Sequence, residues 1–368
     1  MSQRALRSVG YFDCPGGGQV VVSGTTAYVA HMKAPHGTTI VDVSDPARPR
    51  QLAQLTIPPE VHSHKVRVVN GVMLVNWEAA PRTQLPAGAR AGLGIYDVTT
   101  PDKPREIAFW QCRSVHRFTF DGRYAYLSPS LEGYRGNIVM TLDLNDPAKP
   151  EEAGRWWMPG QWIAGDETPT WEGGLHRCHH PIRRGNRLYV SYWHGGFVIL
   201  DIEDMAKPRF VSGLDWTPPF ASPIHTALPI PFPLMGRQIL LVADEDVAHL
   251  RPSSPSFLWL VDITDETRPV PFSSFQVDGV DGSPQPEFTG CHQPCEDVRG
   301  TEIPLAWFAQ GLRIVDIANP HRPREVASFV PPVAPGADRV CSNDVCYDNR
   351  RLLYLIDRHR GLHILELT

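Results

Sequence analysis

No stretch of the 368-residue sequence approaches the roughly 18 to 20 apolar residues that a membrane-spanning helix needs. The opening, MSQRALRSVGYFDC, has no apolar signal core. The expectation is a cytoplasmic protein with no membrane partner. A basic excess is also missing: 35 Lys and Arg stand against 40 Asp and Glu, for a net charge of -5. That balance argues against a protein that lives on nucleic-acid phosphates, so no nucleic-acid partner is expected. Phosphate and nucleophile signatures are absent, with no G-x-x-x-x-G-K-[ST], no G-x-G-x-x-G after a strand and no G-x-S-x-G. The glycine-rich CPGGGQ at 14–19 is followed by no helical pattern and reads as a loop. Strong amphipathic helices are lacking, and the 36 prolines, about twice the usual share, exclude long bundles. Seven cysteines without a secretory signal read as reduced thiols, and Cys291-x3-Cys295 and Cys341-x4-Cys346 are wider than a zinc knuckle's C-x2-C.

What the sequence does have is a repeat. TTIVDVSDPARPRQLAQL returns as LGIYDVTTPDKPREIAFW, IVMTLDLNDPAKPEEAGRW, FVILDIEDMAKPRFVSGL, LWLVDITDETRPVPFSSF and LRIVDIANPHRPREVASF. Its acid falls at Asp42, Asp97, Asp143, Asp201, Asp262 and Asp316, and a seventh copy, GLHILELT, ends the chain with Glu366 at that place. The spacing of 46 to 61 residues is that of a four-stranded propeller blade with loops. The last copy lacks its outer strand, and ALRSVGYFD at the start supplies one. The expected fold is all-β: a single seven-bladed β-propeller domain over residues 1–368, closed by its N-terminal strand, which removes open sheet edges. The repeated Asp reads as a side chain capping backbone N–H groups of the following turn.

The I-V-D phrase resembles the LVIVD repeat of bacterial and archaeal β-propeller proteins, over nearly the whole chain. That resemblance implies a fold and leaves function open. More distantly, a propeller with inward histidines resembles the selenium-binding protein (methanethiol oxidase) and carotenoid oxygenase groups in architecture alone.

Histidine recurs at one phase of the repeat, just before each inner strand: His64, His116, His179 or His180, His225 and His292. Gly18-Gln19 and Asn343-Asp344 fill the slot in the first and last copies. Inner strands line a propeller's channel, so five imidazoles at one phase converge on one mouth. Three or four neutral imidazoles with an open position suit one divalent transition metal, iron, zinc or manganese, with copper as a further choice. Loops between second and third strands reach the same mouth and bring Glu78 and Glu245 as candidate bases, while Arg358 is a candidate for binding a substrate carboxylate. Asp344 is the acid at the histidine phase, a candidate to ligate or orient. His62 and His176 read as facing away from the axis. Cys178 and Cys291 each precede a histidine, and packed thiols are the expected outcome.

These residues point to a metal-dependent enzyme acting on a small organic molecule, of lyase or hydrolase type. An oxygen-dependent oxidoreductase at an all-histidine iron or copper site and a non-enzymatic binding platform are the alternatives. A carboxylate among the ligands favours the first, and four histidines without one favour oxidation. Oligomeric state is left open.

Overall fold

The computed structural model describes residues 4–79, 84–217, 219–247, 256–278, 280 and 285–368. Apart from a single 3-10 turn at Ile163–Gly165, the regular structure among these is antiparallel sheet. No helix is long and apolar enough to cross a membrane.

The strands group as the repeat divides them. The first unit holds Gly17–Ser23, Thr26–His31, His36–Asp42 and Arg50–Thr56 in sheet order. Later units open at Val61, Ser114, His176, Ile224, Gln293 and Ser342. The fourth and fifth share one eight-stranded sheet, joined by the lone pairing Trp193–Ile224. In the last unit the strand beyond Arg360–Leu367 is Leu6–Pro15, so both ends of the chain lie in one sheet.

Each unit runs from a buried interior to a wet rim. Second strands such as Ile239–Asp244 are buried along their length, whereas outer strands such as Arg105–Gln111 are exposed at their ends. Apolar side chains on both faces of the inner strands make the core, which lies between neighbouring sheets. Leu74, Leu93 and Ile95 of the second unit pack on Phe118, Leu127 and Met140 of the third. Val20, Val29 and Val41 of the first meet Tyr354, Ile356 and Ile364 of the last. Seven such clusters lie among the described residues, one at each junction.

The repeated acid caps its turn. Asp42, Asp97, Asp143, Asp201, Asp262 and Asp316 each accept the N–H of the residue two places on. Each also pairs with an arginine, such as Arg50 for Asp42 and Arg324 for Asp316. All of these pairs lie at the rim, where an ion pair adds little and the cap does most.

Candidate functional site

Inner strands begin, and second strands end, at one face of the propeller, as the pairings Gly17–His31, Val61–Ala79 and His176–Trp193 show. That face is the mouth, and the histidines gather there. His64, His116, His179, His225 and His292 form an arc of adjoining rings, with centroid separations of 5.1, 4.7, 4.7 and 4.0 Å in that order. Two carboxylates sit against the arc. Glu78 lies 2.8 Å from His116 Nδ1 and 3.0 Å from His62 Nε2. Glu245 lies 3.8 Å from His179 Nε2 and 3.5 Å from His292 Nε2. Two sets of ligand atoms fall within 4.8 Å of one another: His62, His64 and Glu78, and His179, His225 and Glu245.

The protein fixes the tautomers. His179 Nδ1 donates to the backbone carbonyl of His225 at 2.8 Å, and His292 Nδ1 to that of Asn343 at 2.5 Å. A carbonyl only accepts, so both rings carry hydrogen on Nδ1. Burial pushes His179, His225 and His292 below the usual histidine value, His292 to about 3, which keeps the rings neutral. Their Nε2 atoms then hold lone pairs. Burial pushes Glu245 up, and the Arg358 guanidinium 3.4 Å away opposes that rise. Glu78 is likewise held ionised against its burial, by His116 and His62. His225 Nε2 accepts a 2.7 Å hydrogen bond from Arg117, so an ion there would compete with a guanidinium.

Several sequence expectations change. His62 does not face away from the axis: its ring lies 4.6 Å from that of His64, and it bonds Glu78. Residues two apart in an extended segment share a face, which the sequence reading had reversed. His176 does lie apart, stacked on Trp171 at 4.9 Å, because a register irregularity between His176 and His180 breaks the alternation. His180 is not in the arc. It sits one layer deeper, 3.4 Å from Glu296 and 3.5 Å from Thr226. Asp344 belongs to that layer too, accepting the N–H of Val345 at 2.9 Å and, at 3.4 Å, that of Val20. Burial lifts it to about 6, and Lys65 and Arg117 limit the rise. Arg358 reaches the site, bonded to Asn343 Oδ1 and 3.4 Å from Glu245. Cys178 and Cys291 are packed thiols; burial pushes Cys178 to about 12 and Cys291 well up. Residues 80–83 and 248–255, which fall in sequence between second and third strands, lie outside the described residues.

The deeper layer was legible but unread. One place after each slot stand Gln19, Lys65, Arg117, His180, Thr226, Gln293 and Asp344, all buried and all polar. Asn76 had no sequence signal. Its buried amide bonds Lys65 N, His64 Nδ1 and the carbonyl of Val115, tying the second unit to the third. Below this layer a cavity of about 230 Å³ opens, lined in part by Arg67, Glu296 and Asp344.

Three stretches, residues 17–53, 184–215 and 305–330, match the model of the LVIVD repeat. No curated protein matches the chain. Among solved structures, the N-terminal domain of Nup159 superimposes with a TM-score of 0.60 at 11% identity, over 100% of this chain and 97% of that one. Sqt1 of Saccharomyces cerevisiae gives 0.57 at 9% identity, over 95% and 82% of the two chains. The computationally designed Ika8 gives 0.52 at 7%, over 99% and 100%. At such identities the likeness is one of fold. The chain carries LVIVD repeats and folds as a β-propeller.

Proposed function

We propose that this chain is a metal-dependent enzyme acting on a small organic substrate at the mouth, by acid–base chemistry of the hydrolase or lyase type. The observation that carries this reading is a meeting of acceptors. The Nε2 lone pairs of His179 and His292 face the carboxylate of Glu245 at 3.8 and 3.5 Å, in a buried place. Acceptors turned on one another repel unless a cation stands between them. Imidazole and carboxylate together suit a divalent transition metal, iron, zinc or manganese, with copper also possible on ligand type.

His179, His292 and Glu245 would hold the ion, and His225 could join them only by giving up its Arg117 hydrogen bond. When bound, such an ion polarises a substrate oxygen or acidifies a water. The remaining work falls to the chain. Glu78 receives the Nδ1 hydrogen of His116 and so turns the other ring nitrogen outward as an acceptor. Arg358 steadies Glu245 as a ligand, which leaves Glu78 as the carboxylate that would take a proton. A carboxylate in each ligand set favours this chemistry over oxidation at an all-histidine centre.

Elemental mass spectrometry on tag-free protein, purified without chelator, tests the reading. About one equivalent of metal is expected in the wild type, with loss in His179→Ala while its circular-dichroism spectrum stays that of the folded chain. A wild type that carries no metal and takes none up on reconstitution would overturn it.

A further inference from the structure

The charged groups of the mouth and the layer beneath do not balance. Arg67 and Arg117 share Glu296, at 2.5 and 3.8 Å. Arg358 faces Glu245 at 3.4 Å and is tied to Asn343. Arg177, on the inner strand between His176 and Cys178, has no carboxylate within ion-pair distance among the described residues. Its one side-chain hydrogen bond among these is a 3.5 Å contact with Asn137 Oδ1. Yet it is only partly exposed. Glu78 and Glu245 act on it only through space.

A second observation marks the same place. Arg177 lies 4.1 Å over the ring of Trp193, whose ring is 4.9 Å from His179. On the other side Arg358 lies 5.0 and 4.9 Å over Phe288 and Phe308, and Phe308 is 4.3 Å from His292. These three aromatic residues all have positive φ, at 55°, 64° and 26°. Bulky side chains rarely take that conformation, and where they do the strain gathers at ligand clamps and active sites. Two strained aromatic shelves, each carrying a guanidinium, thus flank the arc of imidazoles.

We infer that the mouth takes a small organic acid whose carboxylate sits on Arg177. The carboxylate supplies the anion that Arg177 lacks, and a planar guanidinium binds a carboxylate through two parallel hydrogen bonds. The role expected of Arg358 passes to Arg177, because Asn343 and Glu245 already occupy Arg358. Arg358 becomes the residue that positions Glu245. Taking this acid as the substrate rests on the mouth being the working site; the binding itself does not.

Isothermal titration calorimetry of the full chain with benzoate, and with benzamide as its uncharged counterpart, tests the inference. Benzoate should bind the wild type and benzamide should not. Arg177→Gln should weaken benzoate about 10- to 100-fold, the worth of hydrogen bonds to a charged group. Arg177→Lys should fall between, and it answers the question if the glutamine variant fails to fold. Equal binding of the two probes, no binding of benzoate, or unchanged binding in both variants would overturn the inference. Metal content of the same preparations separates the two proposals. Metal present with benzoate binding indifferent to Arg177 removes only this one. Metal absent with binding dependent on Arg177 removes only the metal centre.

Discussion

Replacing Asn76 by alanine tests whether the site is built by ties between sheets. The Asn76 Oδ1 accepts the N–H of Lys65 at 2.8 Å, and its Nδ2 donates to the Val115 carbonyl at 2.9 Å, to His64 Nδ1 at 3.1 Å and to the His116 carbonyl at 3.3 Å. The residue is fully buried, so water does not take over these bonds readily. Alanine leaves at least the Lys65 N–H and the Val115 carbonyl short of a partner. At about 1–3 kcal/mol for each orphaned group, the loss is about 4 kcal/mol. Unfolding entropy of about 2.1 cal/mol/K per residue, taken over 368 residues, converts that to a fall in melting temperature of about 5 °C. Asn76→Asp should do no better, because it keeps the acceptor for Lys65 but sets an anion against two carbonyl oxygens. Thermal and urea unfolding of the three proteins measure this. A shift under about 1 °C for the alanine variant would refute the reasoning, since the orphaned groups would then cost far less than burial implies.

Three further outcomes are expected. Removing residues 4–15 takes away the partner of Arg360–Leu367 together with packed Val9, Phe12 and Cys14, and uncovers Leu362 and Ile364 of the same cluster, so the chain should melt lower and aggregate through the bared edge; an unchanged melting point and a monomeric elution profile would contradict this. Glu245→Gln removes the charged ligand and should weaken metal binding by more than the roughly 10- to 100-fold that loss of an outer partner costs, without unfolding the chain, as read by competition with a chelator. Asp344 is raised from 3.8 to about 6, so the native state holds its proton more tightly than the unfolded one. Its contribution is fully present below pH 4 and lost as pH rises through 6, about 3 kcal/mol in all. Unfolding midpoints between pH 4 and 7 should therefore fall less steeply in Asp344→Asn, and parallel slopes would count against the assignment.

The repeated I-V-D phrase, its turn-capping Asp and the orphan strand at the start were enough to lay out four-stranded units and to pair the two ends of the chain. These are local patterns: strand alternation and turn chemistry depend on neighbours in sequence. The histidine phase was equally legible, because a repeat gives each copy of a position the same place in its sheet. Tertiary structure decided what that phase means at each copy. Neighbours in the same strand part company, so His179 joins the arc while His180 turns to Glu296. His62 joins His64, where a reversed alternation had sent it away. The partners that set tautomer and charge come from other sheets: the carbonyls of His225 and Asn343, the amide of Asn76 and the guanidinium of Arg358. Arg177 gave no signal in the sequence, because a cation is conspicuous only once the carboxylates around it have been matched to other partners. Sequence by itself determined the units and the phase; burial and contact across units, which no single repeat contains, decided the chemistry the mouth can support.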